Sequence, residues 1–289
     1  MPITTRAAGF AIFAVAATAP APALAGSAVY GGSTSAGAAI VIKADKKAKK
    51  LRSAVVSWKA NCDDGRRFPV AVPLKAVTAE PGFTPGFREL ATSRNGKGRF
   101  AGTQVGSLNM GDSGGLLTAS YSGKLTKTRA TGTLDATITV VENATGNTIT
   151  TCRTGSVRYS ASRSPGRVFG GSTSQDHPVV VRLDARRRKV ADLLFGWESA
   201  TCKPDDLYLS VDEKFGDFAL GGGNFGDAFN VGYSPDGGGE GKVAYDISGR
   251  VARTRANGRV RVNLTETDAS GAVTTACDSG IVPWEAISG

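Results

Sequence analysis

Histidine and cysteine are scarce in this chain of 289 residues, which contains one histidine, His177, and four cysteines. Structural zinc sites are usually built from sets of cysteine and histidine ligands, often with a Cys-x-x-Cys pair that this sequence lacks. A nucleophilic serine needs a general base, normally a histidine that a carboxylate orients. The scarcity therefore argues against a structural zinc site and weakens every serine-hydrolase interpretation.

Long apolar runs are missing beyond the first 25 residues. Arg6 precedes an apolar stretch over residues 7–19, and Ala23-Leu24-Ala25 has the small-residue pattern of a signal-peptide cleavage site. The stretch is shorter than the ~20 apolar residues that a membrane helix needs. We therefore expect residues 1–25 to be a cleaved signal peptide, and the mature chain to be secreted or extracellular without a membrane span.

The remaining sequence contains the same pattern twice. Tyr30-Gly31-Gly32-Ser33-Thr34-Ser35 recurs as Phe169-Gly170-Gly171-Ser172-Thr173-Ser174. Further matches follow in the same order: Ile40-Val41-Ile42 with Val179-Val180-Val181, Trp58 with Trp197, Ser122-Gly123-Lys124-Leu125 with Ser248-Gly249-Arg250-Val251, Thr128-Arg129-Ala130 with Thr254-Arg255-Ala256, and Tyr159 with Trp284. This order predicts a tandem duplication, with unit one at residues 26–163 and unit two at residues 164–289.

Strand signals dominate both units. Residues 133–140 and 259–264 alternate polar and apolar side chains with a period of two, and glycine, asparagine and serine separate such runs. Many short strands at regular spacing predict an all-β fold of two tandem β-sandwich domains, either jelly-roll or immunoglobulin-like. Trp58 and Trp197 each precede a cysteine, and we expect both to pack in a core against a disulfide.

Four cysteines allow three disulfide pairings in an oxidising compartment. Each unit has one cysteine after its early tryptophan and one in its last strands. The pairing that lets each unit close by itself is Cys62 with Cys152 and Cys202 with Cys277. Loop entropy gives each closure a contribution of about 4 kcal/mol.

A family resemblance rests on two features of each unit. These are the Gly-Gly-Ser-Thr-Ser opening and the Cys-x-x-Gly segment, at Cys152–Gly155 and Cys277–Gly280. In these features the chain resembles secreted tandem β-sandwich proteins of high-GC bacteria over nearly all of the mature chain. The resemblance implies the fold and no known activity.

Two glycine-rich strings imitate functional motifs. Gly111-Asp112-Ser113-Gly114-Gly115 resembles the nucleophile segment of trypsin-like proteases, but no histidine precedes Ser113, and the matching position of unit two lies in a glycine loop. Residues 221–226 fit the Gly-x-Gly-x-x-Gly spacing without the following helix that a dinucleotide site needs. We therefore expect no catalytic residue and no cofactor.

Charge divides the chain. Unit one has 20 lysines and arginines against 8 acids, a net +12, whereas unit two has 14 against 17, a net −3. Each unit nevertheless has a basic segment in its first hairpin: Lys46, Lys47, Lys49 and Lys50 in unit one, and Arg186, Arg187, Arg188 and Lys189 in unit two. These segments are either solvated hairpin tips or loops that contact an anionic polysaccharide or envelope polymer. The charge difference would also favour docking of one unit on the other.

Unit two gathers acids in its middle, at Asp205, Asp206, Asp212, Glu213, Asp217, Asp227, Asp236 and Glu240. Their spacing fits no EF-hand, so we predict surface solubility rather than a metal site. We expect His177 to be an exposed loop residue. The sequence thus predicts a secreted, non-catalytic binding or cell-envelope module, with a serine- or carboxylate-based hydrolase and a structural envelope protein as the alternatives.

Overall fold

A computed structural model describes residues 27–49, 51–75, 98–110, 113–204, 209–235 and 238–289. Within these ranges the regular structure is entirely β, in two sheets that pack together, so the predicted all-β fold with two β-sandwich-like units is confirmed. The predicted signal peptide and Lys50 lie outside the described residues. No helix in the described ranges has the length and apolarity needed to cross a membrane.

Unit one contains the first sheet. Its strands are β1 (Ser27–Thr34), β2 (Ala39–Asp45), β3 (Leu51–Cys62), β4 (Arg67–Lys75), β5 (Arg99–Met110), β6 (Ser113–Leu125), β7 (Arg129–Glu142), β8 (Thr148–Arg153) and β9 (Val157–Ser162). The strand order is β4-β3-β2-β1-β9-β7-β6-β5, and β8 pairs with both β3 and β7. Strands β1, β2, β3, β8, β7 and β9 therefore form a hydrogen-bonded ring around the core.

Unit two contains the second sheet. Its strands are β10 (Val168–Thr173), β11 (Pro178–Leu183), β12 (Lys189–Glu198), β13 (Thr201–Lys203), β14 (Leu209–Phe215), β15 (Phe218–Ala219), β16 (Asn224–Tyr233), β17 (Glu240–Val251), β18 (Arg255–Thr267), β19 (Val273–Asp278) and β20 (Val282–Ile287). The strand order is β13-β19-β18-β20-β10-β11-β12-β14, with β16 beside β17 and β17 beside β18. The first strand of this unit, β10, pairs with β11 and with the last strand, as β1 pairs with β2 and β9 in unit one.

Each unit has a disulfide across a short pair of strands. Cys62 of β3 is the cross-strand partner of Cys152 in β8, with 3.8 Å between the Cα atoms. Cys202 of β13 faces Cys277 of β19 in the same way, at 4.1 Å. These are the two pairs that the sequence predicts, and each lies within one unit. The disulfides fasten the short ladders that join the two halves of each sandwich.

Each unit has its own apolar core. Trp58 and Trp197 are 1% and 0% exposed, and each belongs to the core cluster that contains the disulfide of its unit. Their predicted place in the core is confirmed. The buried residues alternate along β6, β7, β17 and β18, because those strands cover a core with one face and meet solvent with the other.

The first two strands of each unit are buried on both faces. Side chains on one face of β1, β2, β10 and β11 enter the core of their own unit, and those on the other face meet the other unit. Val29, Val41, Val180 and Leu194 form the centre of this apolar contact. Burial on both faces explains why these strands are continuously apolar rather than alternating.

Two glycines, one from each unit, make equivalent contacts with a valine of the other unit. A Cβ atom on Gly31 would lie 2.8 Å from a methyl group of Val180, and a Cβ on Gly170 would lie 2.8 Å from a methyl group of Val41. Gly31 and Gly170 occupy corresponding positions in β1 and β10, as Val41 and Val180 do in β2 and β11. The two units therefore present nearly the same surface to each other, as subunits related by a two-fold axis do.

The second glycine of each pair has a different role. A Cβ on Gly32 would lie 1.9 Å from the carbonyl oxygen of Ser160 in β9, and one on Gly171 would lie 1.8 Å from that of Glu285 in β20. The last strand of each unit thus approaches the first too closely for any side chain. The Gly-Gly pair combines a contact between the units with a close strand pairing within the unit.

Polar contacts cross the boundary beside this apolar centre. Lys59 Nζ lies 2.7 Å from a carboxylate oxygen of Asp212. Arg182 donates a hydrogen bond of 3.2 Å to the carbonyl oxygen of Gly31. The docking of the units is therefore mainly apolar, and opposite charge contributes at a partly exposed ion pair.

Candidate anion-binding surface

The two basic segments are turns of the same construction. The backbone N–H groups of Ala48 and Arg187 donate to the carbonyl oxygens of Asp45 and Asp184, and both donors have φ of 55°. The Asp184 carboxylate accepts the N–H of Arg188 at 2.7 Å, and the Asp45 carboxylate accepts the corresponding N–H of unit one. The acid that opens each turn is therefore engaged by the backbone. Burial opposes ionisation of Asp184, but these N–H groups outweigh it and lower its pKa.

The cationic side chains of both turns reach solvent. Lys46, Lys47 and Lys49 are exposed, as are Arg186, Arg187, Arg188 and Lys189. Lys189 forms an ion pair with Asp217. The structure therefore places the described cations of both segments on hairpin tips, as both the solvated-tip and the anion-binding interpretations require.

A second turn lies beside the basic turn of unit one. The Tyr30 hydroxyl donates a hydrogen bond of 2.7 Å to the carbonyl oxygen of Thr126, in the turn between β6 and β7. Burial raises the pKa of Tyr30, Arg163 lowers it and Asp45 raises it, so both charged groups lie near the same phenol. The β2–β3 turn, the β6–β7 turn and Arg163 thus meet at one end of unit one.

This end of unit one carries many exposed cations. We call it the unit-one basic end and define it by Lys46, Lys47, Lys49, Arg99, Lys124, Lys127 and Arg129, which are all exposed. Arg99 of β5 stands directly opposite Lys124 of β6 in the ladder. Like charges in directly opposed positions destabilise a strand pair, so folding alone does not favour this arrangement.

Unit two has an equivalent end. Gly166 donates its N–H to Ser288 Oγ at 2.5 Å, and the N–H of Ser288 donates to the carbonyl oxygen of Thr254 in the β17–β18 turn. The Arg187 guanidinium lies 2.9 Å from the position that a Cβ on Gly166 would take. The unit-two basic end therefore combines both turns: Arg186, Arg187, Arg188, Lys189, Arg250, Arg253 and Arg255, which are all exposed.

The linker between the units joins the two basic ends. Arg163 donates its N–H to the carbonyl oxygen of Thr128 in the unit-one basic end, at 2.8 Å. Gly166, which contacts the unit-two basic end, follows three residues later, a chain distance of at most about 11 Å. The two ends are therefore neighbours. We call the two basic ends, together with Arg163 and Arg167, the composite basic surface.

Sequence reasoning identified only one of the two basic turns in each unit. It identified the β2–β3 and β11–β12 turns but missed the cations of the second turns, at Lys124, Lys127 and Arg129 and at Arg250, Arg253 and Arg255. The signal was present, because the second turns are basic in both copies although the net charges of the units have opposite signs. Only the fold shows that the first and second turns of each unit are adjacent.

Ser113 of the protease-like segment and the single histidine of the sequence belong to different units. Ser113 begins β6 and faces Glu142 of β7 in the ladder. The single histidine of the chain, His177, belongs to the turn between β10 and β11 of unit two. Gly111 and Asp112 lie outside the described residues.

The dinucleotide-like string forms the turn before β16 and the first residues of that strand. Residues 220–223 connect β15 with β16, and Gly222 and Gly223 have φ of 61° and 86°. These left-handed conformations suit a tight turn made of glycine. A dinucleotide-binding string opens a helix instead, so this segment lacks that geometry.

The acidic side chains of unit two lie in different local environments. Asp212 pairs with Lys59, Asp217 pairs with Lys189, and Glu213 accepts a hydrogen bond of 3.3 Å from the indole of Trp197. Asp205, Asp206 and Asp236 lie outside the described residues. Among the residues that the structure places, no three His, Cys, Asp or Glu side chains converge as metal ligands would.

His177 is buried, and its predicted exposure is wrong. It is 3% exposed, and among the described residues neither ring nitrogen has a hydrogen-bond partner. Burial lowers the pKa of the imidazole to about 4, although Asp176 opposes that shift. Nε2 lies 3.9 Å from Glu198, too far for a hydrogen bond. The ring fits because the facing strand residue is Gly196, whose Cβ would lie 3.1 Å from Nδ1.

Comparison with models of protein families, with the curated proteins and with the solved structures finds no match for this chain.

Proposed function

We propose that this protein is a secreted, non-catalytic binding module for anionic polymers, including acidic polysaccharides of a cell envelope. One observation carries the proposal: four turns, two from each unit, expose cations around a linker of a few residues. The aspartates that open two of these turns are engaged by backbone N–H groups. One oxygen of each of these carboxylates is therefore already bonded within its own turn.

The clustering of cations supports this function because like charges placed side by side destabilise a strand pair. Arg99 opposes Lys124 directly, although a strand pair gains stability from unlike charges. Unit two keeps its basic end although its net charge is −3. Net charge and its distribution govern association rather than folding. A polyanion bound at this surface would relieve the repulsion.

Retention of the full-length protein on an immobilised polyanion such as heparin tests the proposal. The variant K46Q/K47Q/K49Q should elute at lower salt than the wild type, because exposed charges act through a screened field. The control R153Q/K203Q/K242Q loses the same charge at exposed positions away from the basic ends. Equal elution of the two variants would contradict the proposal, since retention would then follow net charge alone.

A further inference from the structure

We infer that the two basic ends bind one linear phosphate polymer at the same time, with the polymer lying across the linker. The inference rests on the proposed function and names the ligand class and the mode of binding. Thr128 holds Arg163 at one end of the linker, and the Gly166 contacts hold the other end. Arg163 is held by a bond between backbone groups, and Gly166 donates its backbone N–H to the Ser288 side chain, so both ends of the linker are attached to their units.

The side-chain chemistry of the two ends favours phosphate. Arginine supplies six of the seven cations of the unit-two basic end, and lysine supplies five of the seven at the unit-one basic end. The guanidinium group offers a planar fork of donors that matches two oxygens of a phosphate group. Lysine acts as a point charge that tolerates varied positions along a chain. Unit two would fix the register of the polymer, and unit one would hold the chain that extends from it.

Aromatic side chains are absent from the exposed surface of both ends, as far as the structure describes them. The exposed large aromatic residue of the described chain is Tyr233, at the opposite end of β16 from Asn224, which faces Arg250. Binding of unpaired bases relies on stacking on such rings. The composite basic surface therefore suits a polymer recognised by its backbone charges, such as polyphosphate or poly(glycerol phosphate).

Simultaneous binding makes a length dependence measurable. Once one end holds the polymer, the second end meets a nearby segment at high effective concentration, and avidity can rise by about 10²–10⁴-fold. A ligand too short to reach both ends gains nothing. Tripolyphosphate should therefore bind each end separately and weakly, while long-chain polyphosphate binds both ends together.

Titration of the full-length protein with tripolyphosphate and with long-chain polyphosphate tests the inference. The variants are K46Q/K47Q/K49Q, R186Q/R187Q/R188Q and the combination of the two. Each single-end variant should lose about 100-fold in affinity for the long polymer, because it binds through one end only. The combination should lose much more, because it removes cations from both ends. The slope of log affinity against log salt should fall by about 2 in each single-end variant, at about 0.7 per lost phosphate contact.

The possible results separate the inference from the proposed function. If the wild type binds no polymer more tightly than the six-fold variant does, the proposed function fails. If polymer binds, but each single-end variant loses only about twofold while the combination loses most of the binding, the ends act independently and the inference alone fails. The charge-conserving variant R186K/R187K/R188K should bind poly(glycerol phosphate) and polyphosphate about tenfold more weakly. Unchanged affinity for both would overturn the assignment to phosphate.

Discussion

Burial of His177 predicts a stability loss in mild acid. The folded state keeps the imidazole neutral until about pH 4, whereas the unfolded chain protonates it near its ordinary pKa of 6.5. Between these values the unfolded state binds more protons, so the free energy of unfolding falls as the pH falls. The shift corresponds to about 3 kcal/mol in full and about 2 kcal/mol at pH 5, at about 1.4 kcal/mol per pH unit.

The neighbouring acids do not cancel this effect. Asp176 raises the pKa of the imidazole but is outweighed by burial, and burial raises the pKa of Glu198. Glu198 is therefore less ionised in mild acid than an ordinary glutamate, and it stands 3.9 Å from the ring. A protonated His177 would lack a strong partner in the folded state.

Urea unfolding of wild type and H177A between pH 7.5 and pH 4 measures the effect. Alanine is the residue at the corresponding position of unit one, Ala38, which is also buried. The substitution leaves a cavity that lowers stability by a constant amount, but it removes the titrating group. The difference between the two curves should therefore shrink by about 2 kcal/mol on going from pH 7.5 to pH 5. Curves that stay parallel over that range would refute the claim that the imidazole is buried and neutral.

Three further predictions concern the fold and the protease-like segment. Gly31→Ala should lower the free energy of unfolding by about 1–3 kcal/mol in thermal melts, because the added methyl group meets a valine of the other unit; Gly106→Ala, where space is open, should not, and equal effects would contradict the interface. Replacing Cys62 and Cys152 by serine should cost up to about 5 kcal/mol in denaturant unfolding, as expected for a loop of 90 residues, and peptide maps that join the two units by a disulfide would be inconsistent with this structure. Ser113→Ala should leave the melting temperature unchanged, and labelling of the wild type at this serine by a serine-directed phosphonate would overturn the non-catalytic proposal.

The sequence predicted the fold class and the cysteine pairs because their signals are local or repeated. Alternation along β7 and β18 marks strands that have one solvent face. The order of matching segments gave each unit one early and one late cysteine, and only one pairing keeps both bonds within units. Patterns of this kind can be recognised in the sequence without knowledge of the three-dimensional arrangement.

Apolar runs in the sequence mark the contact between the units. Ile40-Val41-Ile42 and Val179-Val180-Val181 are continuous apolar runs, whereas a strand with one solvent face alternates. The middle valine of each run is the one that meets the other unit. The runs therefore indicated burial on both faces, and the Gly-Gly pairs beside them indicated close approach.

The burial of His177 and the composite basic surface could not be predicted from local sequence. The imidazole fits over Gly196, while the corresponding pair in unit one is Ala38 with Ser57, so a larger turn residue accompanies a smaller strand residue. Such compensation depends on contacts between residues that are distant in sequence. In the same way, the adjacency of the β2–β3 and β6–β7 turns depends on packing around Tyr30.

Lysine acetylation mapped by mass spectrometry, with and without long-chain polyphosphate, tests the central claim most directly. Bound polymer should protect the lysines of the unit-one basic end, Lys46, Lys47, Lys49, Lys124 and Lys127, from the reagent. The exposed lysines Lys203 and Lys242 lie away from both basic ends and should react at the same rate with and without polymer. Protection of Lys203 and Lys242 to the same degree, or no protection at the basic end, would contradict binding at the composite basic surface.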